Sequence, residues 1–331
     1  MVLERMHDIG SNEEILTSLT IEILSHCNLK CVHCYIGDRK DAIEGSLLSY
    51  ESVVKVLNEA RALNVFTVTI TGGEPLVHPE IHDIVVYAKS RNFIVILKSN
   101  GTLINKTKLP ILKHVDCVVL SVYGFSKSTY ESVTCVEGSY KQYKAALSLL
   151  KANNIKYEIR GVLLRENETE SSKFIKNCSM VETYISSHMN MGYAHCHRPS
   201  DNHIMEVYKH LYSTGIPNKY DPDSAVCSVC TNSLTVNSRG EINPCANFHY
   251  SMGNIKSNTL SDAWMSDIKK LIKDSAKYRN LTKCFNCEHK EYSFLIGLCN
   301  NFVETGNTSL CSEETCRHCL LVRKTIEESR E

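Results

Sequence analysis

The sequence lacks several features that would indicate whole classes of protein. None of its apolar runs approaches the length needed to span a bilayer, and its first residues lack the charged and then apolar order of a signal peptide. Its 37 lysines and arginines balance its 37 aspartates and glutamates, and no basic run stands out. Nothing therefore indicates a nucleic-acid or membrane partner, and we expect a cytoplasmic protein.

Cysteine is the residue that this chain has in abundance. There are 16 cysteines in 331 residues, with three in the segment 27–34 and nine in the segment 227–319. Disulfides explain them poorly, because the cytoplasm keeps thiols reduced and a chain of this length can fold without such crosslinks. Clustered cysteines in an intracellular protein are more often metal ligands. Cys117 lies outside both segments in an apolar run, and we expect it to be a small buried hydrophobe.

Strand-like and helical patterns alternate over the first two thirds of the chain. Strand patterns fall at 19–24, 65–70, 94–97, 115–122, 157–164 and 181–185, with helical patterns between them. This alternation predicts an α/β fold with a parallel sheet and right-handed crossovers. Six repeats are too few for an eight-stranded barrel and fit a partial (βα)6 barrel, in which ligands gather at the carboxyl ends of the strands.

The pattern changes near residue 206, where periodicity fades and cysteines become dense. We therefore predict three parts: an N-terminal segment at 1–17, the partial barrel at 18–205, and a small cysteine-rich domain at 206–331 held together by metal clusters. The one clear helical pattern in this last part runs from 259 to 273.

Cys27, Cys31 and Cys34 form a C-x3-C-x2-C motif directly after the first predicted strand. Three thiolates on one loop can hold three irons of a cubane cluster and leave the fourth iron open for chemistry. A zinc knuckle is the alternative, although structural zinc needs four closed ligands.

The segment Thr71-Gly72-Gly73-Glu74-Pro75 follows the second predicted strand. Its two glycines allow close backbone approach, although a plain Gly-Gly turn has the same appearance. Together with the cysteine motif it resembles the radical S-adenosylmethionine (radical SAM) superfamily, whose signature pairs C-x3-C-x2-C with G-G-E-P. The segments Lys98–Thr102 and Leu120–Gly124 resemble that family's T-N-G loop and S-x-Y/D-G segment. The resemblance covers roughly residues 19–164, about half of the chain.

The resemblance implies a set of cofactor-binding residues. Cys27, Cys31 and Cys34 would bind a [4Fe–4S] cluster, and S-adenosylmethionine would chelate its open iron. The residues implied for S-adenosylmethionine are Gly72, Gly73, Glu74 and Pro75 at the methionyl ammonium, Ser99, Asn100 and Ser121 at the ribose or carboxylate, His33 beside the adenine, and Tyr35 through a backbone contact. The guanidinium group of Arg160 could pair with the carboxylate of S-adenosylmethionine, because its geometry fits a carboxylate. Arg160 could equally be an arginine of the surface or barrel rim. An external donor such as a flavodoxin or ferredoxin would supply the electron that releases a 5′-deoxyadenosyl radical.

The C-terminal cysteines resemble a SPASM domain, an accessory iron–sulfur module. Cys230-x9-Gly240-x4-Cys245 matches its opening, and Cys284-x2-Cys287 matches a later pair, but the next cysteine expected five residues on is missing. We expect two auxiliary [4Fe–4S] clusters. The ligands expected for the first are Cys227, Cys230, Cys245 and Cys299, and those for the second are Cys284, Cys287 and two of Cys311, Cys316 and Cys319. A zinc ribbon built from Cys227, Cys230, Cys284 and Cys287 is the alternative.

Radical SAM proteins with this accessory domain mostly modify peptides. We therefore expect a maturase of a ribosomally synthesised peptide (RiPP maturation) that forms a thioether or carbon–carbon crosslink. Epimerisation is a near variant, and it would use a cysteine such as Cys196 as hydrogen donor. The run Tyr193–Arg198, in which histidines alternate with this cysteine, could equally bind a metal or merely end a strand. Because the predicted barrel starts at about Leu19, leader binding would need a separate protein or the barrel itself. Two other functions remain open: a radical SAM enzyme on a small molecule in cofactor or antibiotic biosynthesis, and a non-enzymatic iron–sulfur electron carrier.

Overall fold

One sheet organises the part of the chain that the computed structural model describes, namely residues 15–34, 46–183, 196–212, 221–292 and 298–329. Its eight strands are β1 Ser18–Glu22, β2 Thr67–Thr71, β3 Ile94–Ser99, β4 Cys117–Val122, β5 Tyr157–Val162, β6 Met180–Glu182, β7 Ser233–Val236 and β8 Ile242–Asn243. They lie in the order β6-β5-β4-β3-β2-β1-β7-β8. Strands β1 to β6 are parallel, β7 pairs in parallel with β1, and β8 pairs antiparallel with β7.

Helices connect the parallel strands and form an outer layer. Those of the barrel are α1 Tyr50–Ala62, α2 Ile81–Ser90, α3 Leu109–Leu112, α4 Lys127–Thr134, α5 Ser139–Ala152 and α6 Ser171–Asn177. The later ones are α7 Asp201–Leu211, α8 Leu260–Trp264, α9 Asp267–Ser275, α10 Thr282–Phe285, α11 Leu298–Thr305 and α12 Glu313–Glu328. In α1 the fully buried residues Val53, Val56, Leu57 and Ala60 follow helical spacing, so one face packs inward.

The sheet has a helix-covered face and a face that lines the barrel interior. Along β3 the residues alternate between half-buried and buried, which places Ile94, Ile96 and Lys98 on one face. Val95, Leu97 and Ser99 lie on the other, buried face. The predicted α/β fold with a partial (βα)6 barrel is confirmed, and Cys117 is buried at 8% exposure, as its apolar run predicts.

The single helix predicted at 259–273 is wrong. The structure has two helices there, α8 and α9, and the Ser266 hydroxyl accepts the backbone N–H of Lys269 at 3.1 Å. A serine that caps a new helix interrupts the old one, because its side chain competes for the backbone donors. The sequence also did not predict α12, which begins after the N-cap Ser312, or the joining of β7 to the barrel sheet.

The predicted domain boundary at 205/206 falls within α7, and the three-part division stays a prediction. The sixth predicted strand is observed as Met180–Glu182, and its remainder beyond residue 183 lies outside the described residues. In the described ranges, no helix has the length and apolar character that crossing a membrane requires.

Candidate active site and cysteine groups

A cavity lies at the carboxyl ends of the parallel strands. Most of the residues predicted for the first cluster and S-adenosylmethionine line it: Cys27, Cys31, His33, Cys34, Gly72, Gly73, Ser99, Asn100, Ser121 and Arg160. They come from five successive strand ends, which a parallel sheet brings to one edge. Ala246 and Asn247 of the cysteine-rich part also line this cavity, so the two parts of the chain share it.

Backbone hydrogen bonds hold the cysteine loop, residues 23–34, on two sides. The backbone N–H of Gly73 donates to the Leu24 carbonyl at 2.9 Å, and that of Lys30 donates to the Thr134 carbonyl at 3.0 Å. A Cβ atom at Gly73 would lie 2.1 Å from the His26 carbonyl oxygen, closer than any stable contact. Glycine is therefore required here because the cysteine loop packs directly on its backbone.

The three thiols of the first cysteine group, Cys27, Cys31 and Cys34, are neighbours at the cavity. Cys27 accepts two N–H donors, the Leu29 backbone at 3.4 Å and the Asn100 amide at 3.7 Å. Burial raises the pKa of Cys27 to about 11, and burial followed by the neighbouring Cys27 and Cys34 raises the pKa of Cys31. Thiols crowded in this way favour the thiolate form only when a cation binds them, so the donor set fits an iron–sulfur cluster.

Glu74 lies behind the cavity wall. Its side chain is fully buried and accepts from the Leu76 N–H at 3.1 Å, the Ser99 hydroxyl at 2.9 Å and the Asn100 N–H at 2.9 Å. Burial outweighs these donors and raises the pKa of Glu74 to about 7. Glu74 thus joins the end of β2 to the end of β3. Gly72 and Gly73 line the cavity but Glu74 and Pro75 do not, and the predicted contact of Glu74 with S-adenosylmethionine stays a prediction.

Two cavity residues carry buried polar atoms without a hydrogen-bond partner among the described residues: Arg160 Nε and His33 Nδ1. Another nitrogen of Arg160, Nη2, lies 3.4 Å from a carboxylate oxygen of Glu158. Burial, followed by the nearby His197, lowers the pKa of His33 to about 4, so its ring is neutral at pH 7. An unpaired guanidinium N–H and a neutral imidazole fit a ligand that has both a carboxylate and a heteroaromatic ring.

The later cysteines form two groups. In the first, Cys245 has Cys299 and Cys227 as electrostatic neighbours, and Cys230 has Cys227. Burial is the main cause that raises the pKa of both Cys230 and Cys245 to about 12. This grouping matches the ligand set predicted for one auxiliary cluster, although the assignment itself stays a prediction.

The second group lies around the start of α12. Cys319 has Cys316 and Cys287 as neighbours, and the Cys287 N–H donates to the Cys284 carbonyl at 3.1 Å. Cys284 and Cys311 are joined by a disulfide in this structure, contrary to the expectation of reduced thiols. The pair is nevertheless adjacent, so reduction would supply two thiolates at one place. In the described part of the chain, no three histidine, cysteine or acidic side chains converge on a single metal-ion position.

Several residues fall outside these groups. Cys196 is exposed and is not among the cavity-lining residues, so its predicted role as hydrogen donor stays a prediction. Tyr35, Tyr193 and His195 lie outside the described residues. Lys98 and Asn247 also line the cavity, although neither was predicted as a site residue. Alternation along β3 could have indicated Lys98, whereas no local signal indicated Asn247.

Comparison with known proteins places this site in a family. The model of the radical SAM superfamily matches residues 21–176, and that of SPASM, an iron–sulfur cluster-binding domain, matches residues 227–288. The antilisterial bacteriocin subtilosin biosynthesis protein AlbA of Bacillus subtilis (strain 168) is 27% identical over 269 residues, 74% of this chain and 59% of the relative. An AdoMet-dependent heme synthase of Methanosarcina barkeri (strain Fusaro / DSM 804) is 24% identical over 154 residues, 46% of this chain and 44% of the relative.

Among solved structures, native anSMEcpe with bound AdoMet and Cp18Cys peptide superposes with a TM-score of 0.65 at 16% identity, covering 95% of this chain and 99% of that one. This likeness supports the fold. The chain spans about half the length of the two curated relatives. Its cofactors are [4Fe–4S] clusters and S-adenosylmethionine, in agreement with the donor set in the cavity. The partial barrel therefore carries a radical SAM domain at residues 21–176, and a SPASM domain at residues 227–288 follows it.

Proposed function

We propose that this protein is an oxidoreductase that cleaves S-adenosylmethionine to a 5′-deoxyadenosyl radical and modifies a ribosomally synthesised peptide. The modification would be a thioether crosslink, a carbon–carbon crosslink or an epimerisation. The observation that carries the proposal is the meeting of three thiols, two glycines and the unpaired Arg160 and His33 nitrogens in one cavity. The similarity to AlbA, a bacteriocin biosynthesis protein, favours a peptide as substrate.

Each residue of the cavity has a proposed role. When bound, the [4Fe–4S] cluster supplies a low-potential electron and an open iron for the methionyl amino and carboxylate groups. Cys27, Cys31 and Cys34 would hold this cluster. The Gly72–Gly73 backbone would lie against the methionyl ammonium, and Ser121 and Arg160 would orient the carboxylate. Neutral His33 would lie beside the adenine.

Ser99 and Asn100 act on this site through the protein. Ser99 donates its hydroxyl to Glu74, and the Asn100 amide donates to Cys27 and to Asn28. Ser99 thereby joins the end of β3 to Glu74 at the end of β2, and Asn100 joins it to the cysteine loop. Their cavity-lining atoms would complete the ribose contact.

The later cysteine groups would hold two auxiliary [4Fe–4S] clusters. We assign Cys227, Cys230, Cys245 and Cys299 to the first, and Cys284, Cys287 and two of Cys311, Cys316 and Cys319 to the second. Ala246 and Asn247 follow Cys245 directly and line the cavity, so the first auxiliary site would adjoin the substrate. That proximity suits transfer of the electron left behind after C–H abstraction.

The partners follow from this chemistry. A leader-containing precursor peptide would be the substrate, and a flavodoxin or ferredoxin in the cytoplasm would supply the electron. A second function, action on a small molecule in cofactor biosynthesis, is favoured by one observation, the similarity to an AdoMet-dependent heme synthase.

The test begins with anaerobically reconstituted protein, S-adenosylmethionine and dithionite. We expect release of 5′-deoxyadenosine, measured by liquid chromatography and mass spectrometry. Cys31→Ala should abolish this release, whereas Cys117→Ala, buried in β4 away from the cavity, should retain it. Release by Cys31→Ala at the normal rate would refute the assignment of the first cluster.

Precursor peptides encoded beside the gene would then be added. Loss of two hydrogens by mass would indicate a crosslink, and incorporation of solvent deuterium at an unchanged connectivity would indicate an epimer. Turnover of a tetrapyrrole with no change in any peptide would favour the second function.

A further inference from the structure

Beneath the predicted S-adenosylmethionine contacts lies a deeper layer of side chains in the barrel interior. The strand register places Glu22 opposite Thr71, Lys98 opposite Val119, and Val119 opposite Glu158. Thr71 and Lys98 are the residues that follow the paired Ile70 and Leu97, so they belong to the same layer. In parallel strands, residues in register point to the same face.

The next layer outward, toward the strand ends, contains Ser121 opposite Arg160. Lys98 therefore starts two residues deeper in the barrel, about 6–7 Å along the strand axis. The groups proposed for the methionyl carboxylate lie in the outer layer, and Lys98 lies below them while still lining the cavity.

The Lys98 ammonium makes no hydrogen bond or ion pair with any described residue. Glu22 and Glu158 in its layer are each two strands away, about 10 Å by ordinary strand spacing. The Glu158 carboxylate is already 3.4 Å from Arg160. Burial, followed by the Arg160 charge, lowers the pKa of Lys98, while Glu182 and Glu22 act in the opposite direction. A cation that loses water without gaining an acceptor is destabilised, so an anionic ligand group would be bound favourably at this position.

We propose that the Lys98 ammonium binds a carboxylate of the substrate. The inference rests on the proposed function and deepens it, because it selects substrates that carry an acidic side chain or a free carboxyl terminus close to the carbon that reacts. The carboxylate of S-adenosylmethionine is the other source of the same chemistry. We assign Lys98 to the substrate because Ser121 and Arg160 occupy the layer nearer the cysteine loop.

The test is protection of Lys98 from acetylation in the wild-type holoprotein. The protein, saturated with S-adenosylmethionine but without a reductant, would be treated anaerobically with an acetylating N-hydroxysuccinimide ester, and each lysine would be followed by peptide mass spectrometry. The probes are N-acetyl-L-glutamic acid α-amide and its uncharged match, N-acetyl-L-glutaminamide. We expect the acidic probe to slow acetylation of Lys98 several-fold and the uncharged probe to have no effect. Acetylation of the exposed Lys113 should not change with either probe. Equal effects of the two probes on Lys98, or none, would overturn the proposal.

A second arm separates the two carboxylate sources. Lys98→Gln should bind S-adenosylmethionine within twofold of wild type, measured by equilibrium dialysis on protein with normal iron content. A tenfold loss of that affinity, or full protection of Lys98 by S-adenosylmethionine alone, would assign the ammonium to the cofactor and overturn the proposal. Neither arm needs turnover. If the acidic probe protects Lys98 but the protein never releases 5′-deoxyadenosine, the proposed function is refuted, whereas the carboxylate-binding role of Lys98 is retained.

Discussion

The side-chain amide nitrogen of Asn100 lies 3.7 Å from the sulfur of Cys27. The same amide donates to the side-chain carbonyl oxygen of Asn28 at 3.0 Å, while the side-chain carbonyl oxygen of Asn100 accepts from the Thr102 N–H at 2.9 Å. Asn100 is thus held on both sides and directs a donor at a proposed cluster ligand. Hydrogen bonds to cluster sulfurs raise reduction potential, because they stabilise the more negative reduced state.

We expect Asn100→Asp to lower the midpoint potential of the first cluster. Aspartate keeps the acceptors for Thr102 but loses the N–H donors and adds negative charge beside Cys27. The measurement is a redox titration followed by electron paramagnetic resonance. Asn105→Asp is the matched control, because Asn105 is exposed and its side chain acts only as an acceptor for Thr107. Equal potentials in Asn100→Asp and wild type would contradict the prediction.

Gly73→Ala should displace the cysteine loop. Its Cβ would meet the His26 carbonyl oxygen at 2.1 Å and the Ser25 carbonyl oxygen at 2.6 Å, and both are backbone atoms that cannot rotate away. We expect loss of the first cluster's iron, about four atoms per chain, together with a lower melting temperature.

Gly138→Ala is the control for this substitution. Gly138 has φ +80°, but a Cβ there meets nothing within 4 Å. The Gly138→Ala protein should be less stable than wild type by about 1–2 kcal/mol through backbone strain alone, and it should keep its full iron content. Full iron content in Gly73→Ala would show that the loop does not depend on this glycine.

Iron counting tests the two auxiliary groups. Three cubane clusters would give about twelve irons per chain, and Cys245→Ala or Cys287→Ala should each reduce this to about eight. The double variant should retain about four, because the two residues belong to separate groups. Cys117→Ala should keep the wild-type content. The two-cluster assignment would be rejected if the protein held zinc in place of iron, or if the double variant had the same iron content as either single variant.

Glu74→Gln should change how stability depends on pH. Burial raises the pKa of Glu74 from 4.5 to about 7 in the folded chain. Between these values the folded state binds more protons than the unfolded state, so the free energy of unfolding falls as pH rises, by at most about 1.4 kcal/mol per pH unit. Glutamine does not titrate. The free energy of unfolding of wild type minus that of the variant should therefore decrease from pH 5 to pH 7.

The measurement for Glu74→Gln is urea unfolding of the cluster-free protein at pH 5, 6 and 7. The variant should also be less stable than wild type at pH 5 by about 1–3 kcal/mol, because one of the three donors around Glu74 then faces an amide N–H₂ group. A difference that does not vary with pH would show that Glu74 titrates normally.

Much of the site could be predicted because its residues lie close together in sequence. Cys27, Cys31 and Cys34 share one loop, and Gly72 and Gly73 follow the next strand, so local spacing reveals them. Their meeting at one edge then follows from the parallel sheet. The family resemblance, which rests on the same locally spaced motifs, was confirmed.

Other features depend on contacts that local patterns do not encode. Glu74 is part of the signature motif, yet its burial behind the cavity depends on Ser99 and Asn100 from another strand. Asn247 reaches the cavity because β7 joins the barrel. The helix predicted at 259–273 failed because the Ser266 hydroxyl captures a backbone donor, which hydrophobic periodicity does not reveal.

The pairing of β7 with β1 has a consequence for the order in which the protein is made. The Asn232 carbonyl accepts the backbone N–H groups of Thr17 and Ser18, across a separation of 215 residues between Thr17 and Asn232. At ordinary translation rates the ribosome needs roughly 10–40 s to synthesise that intervening stretch. During this interval the outer edge of β1 has no partner strand, and an uncovered edge is a template for aggregation. Strand β7 of the cysteine-rich domain covers this edge once it has been synthesised, and expression of the barrel alone should therefore yield insoluble protein.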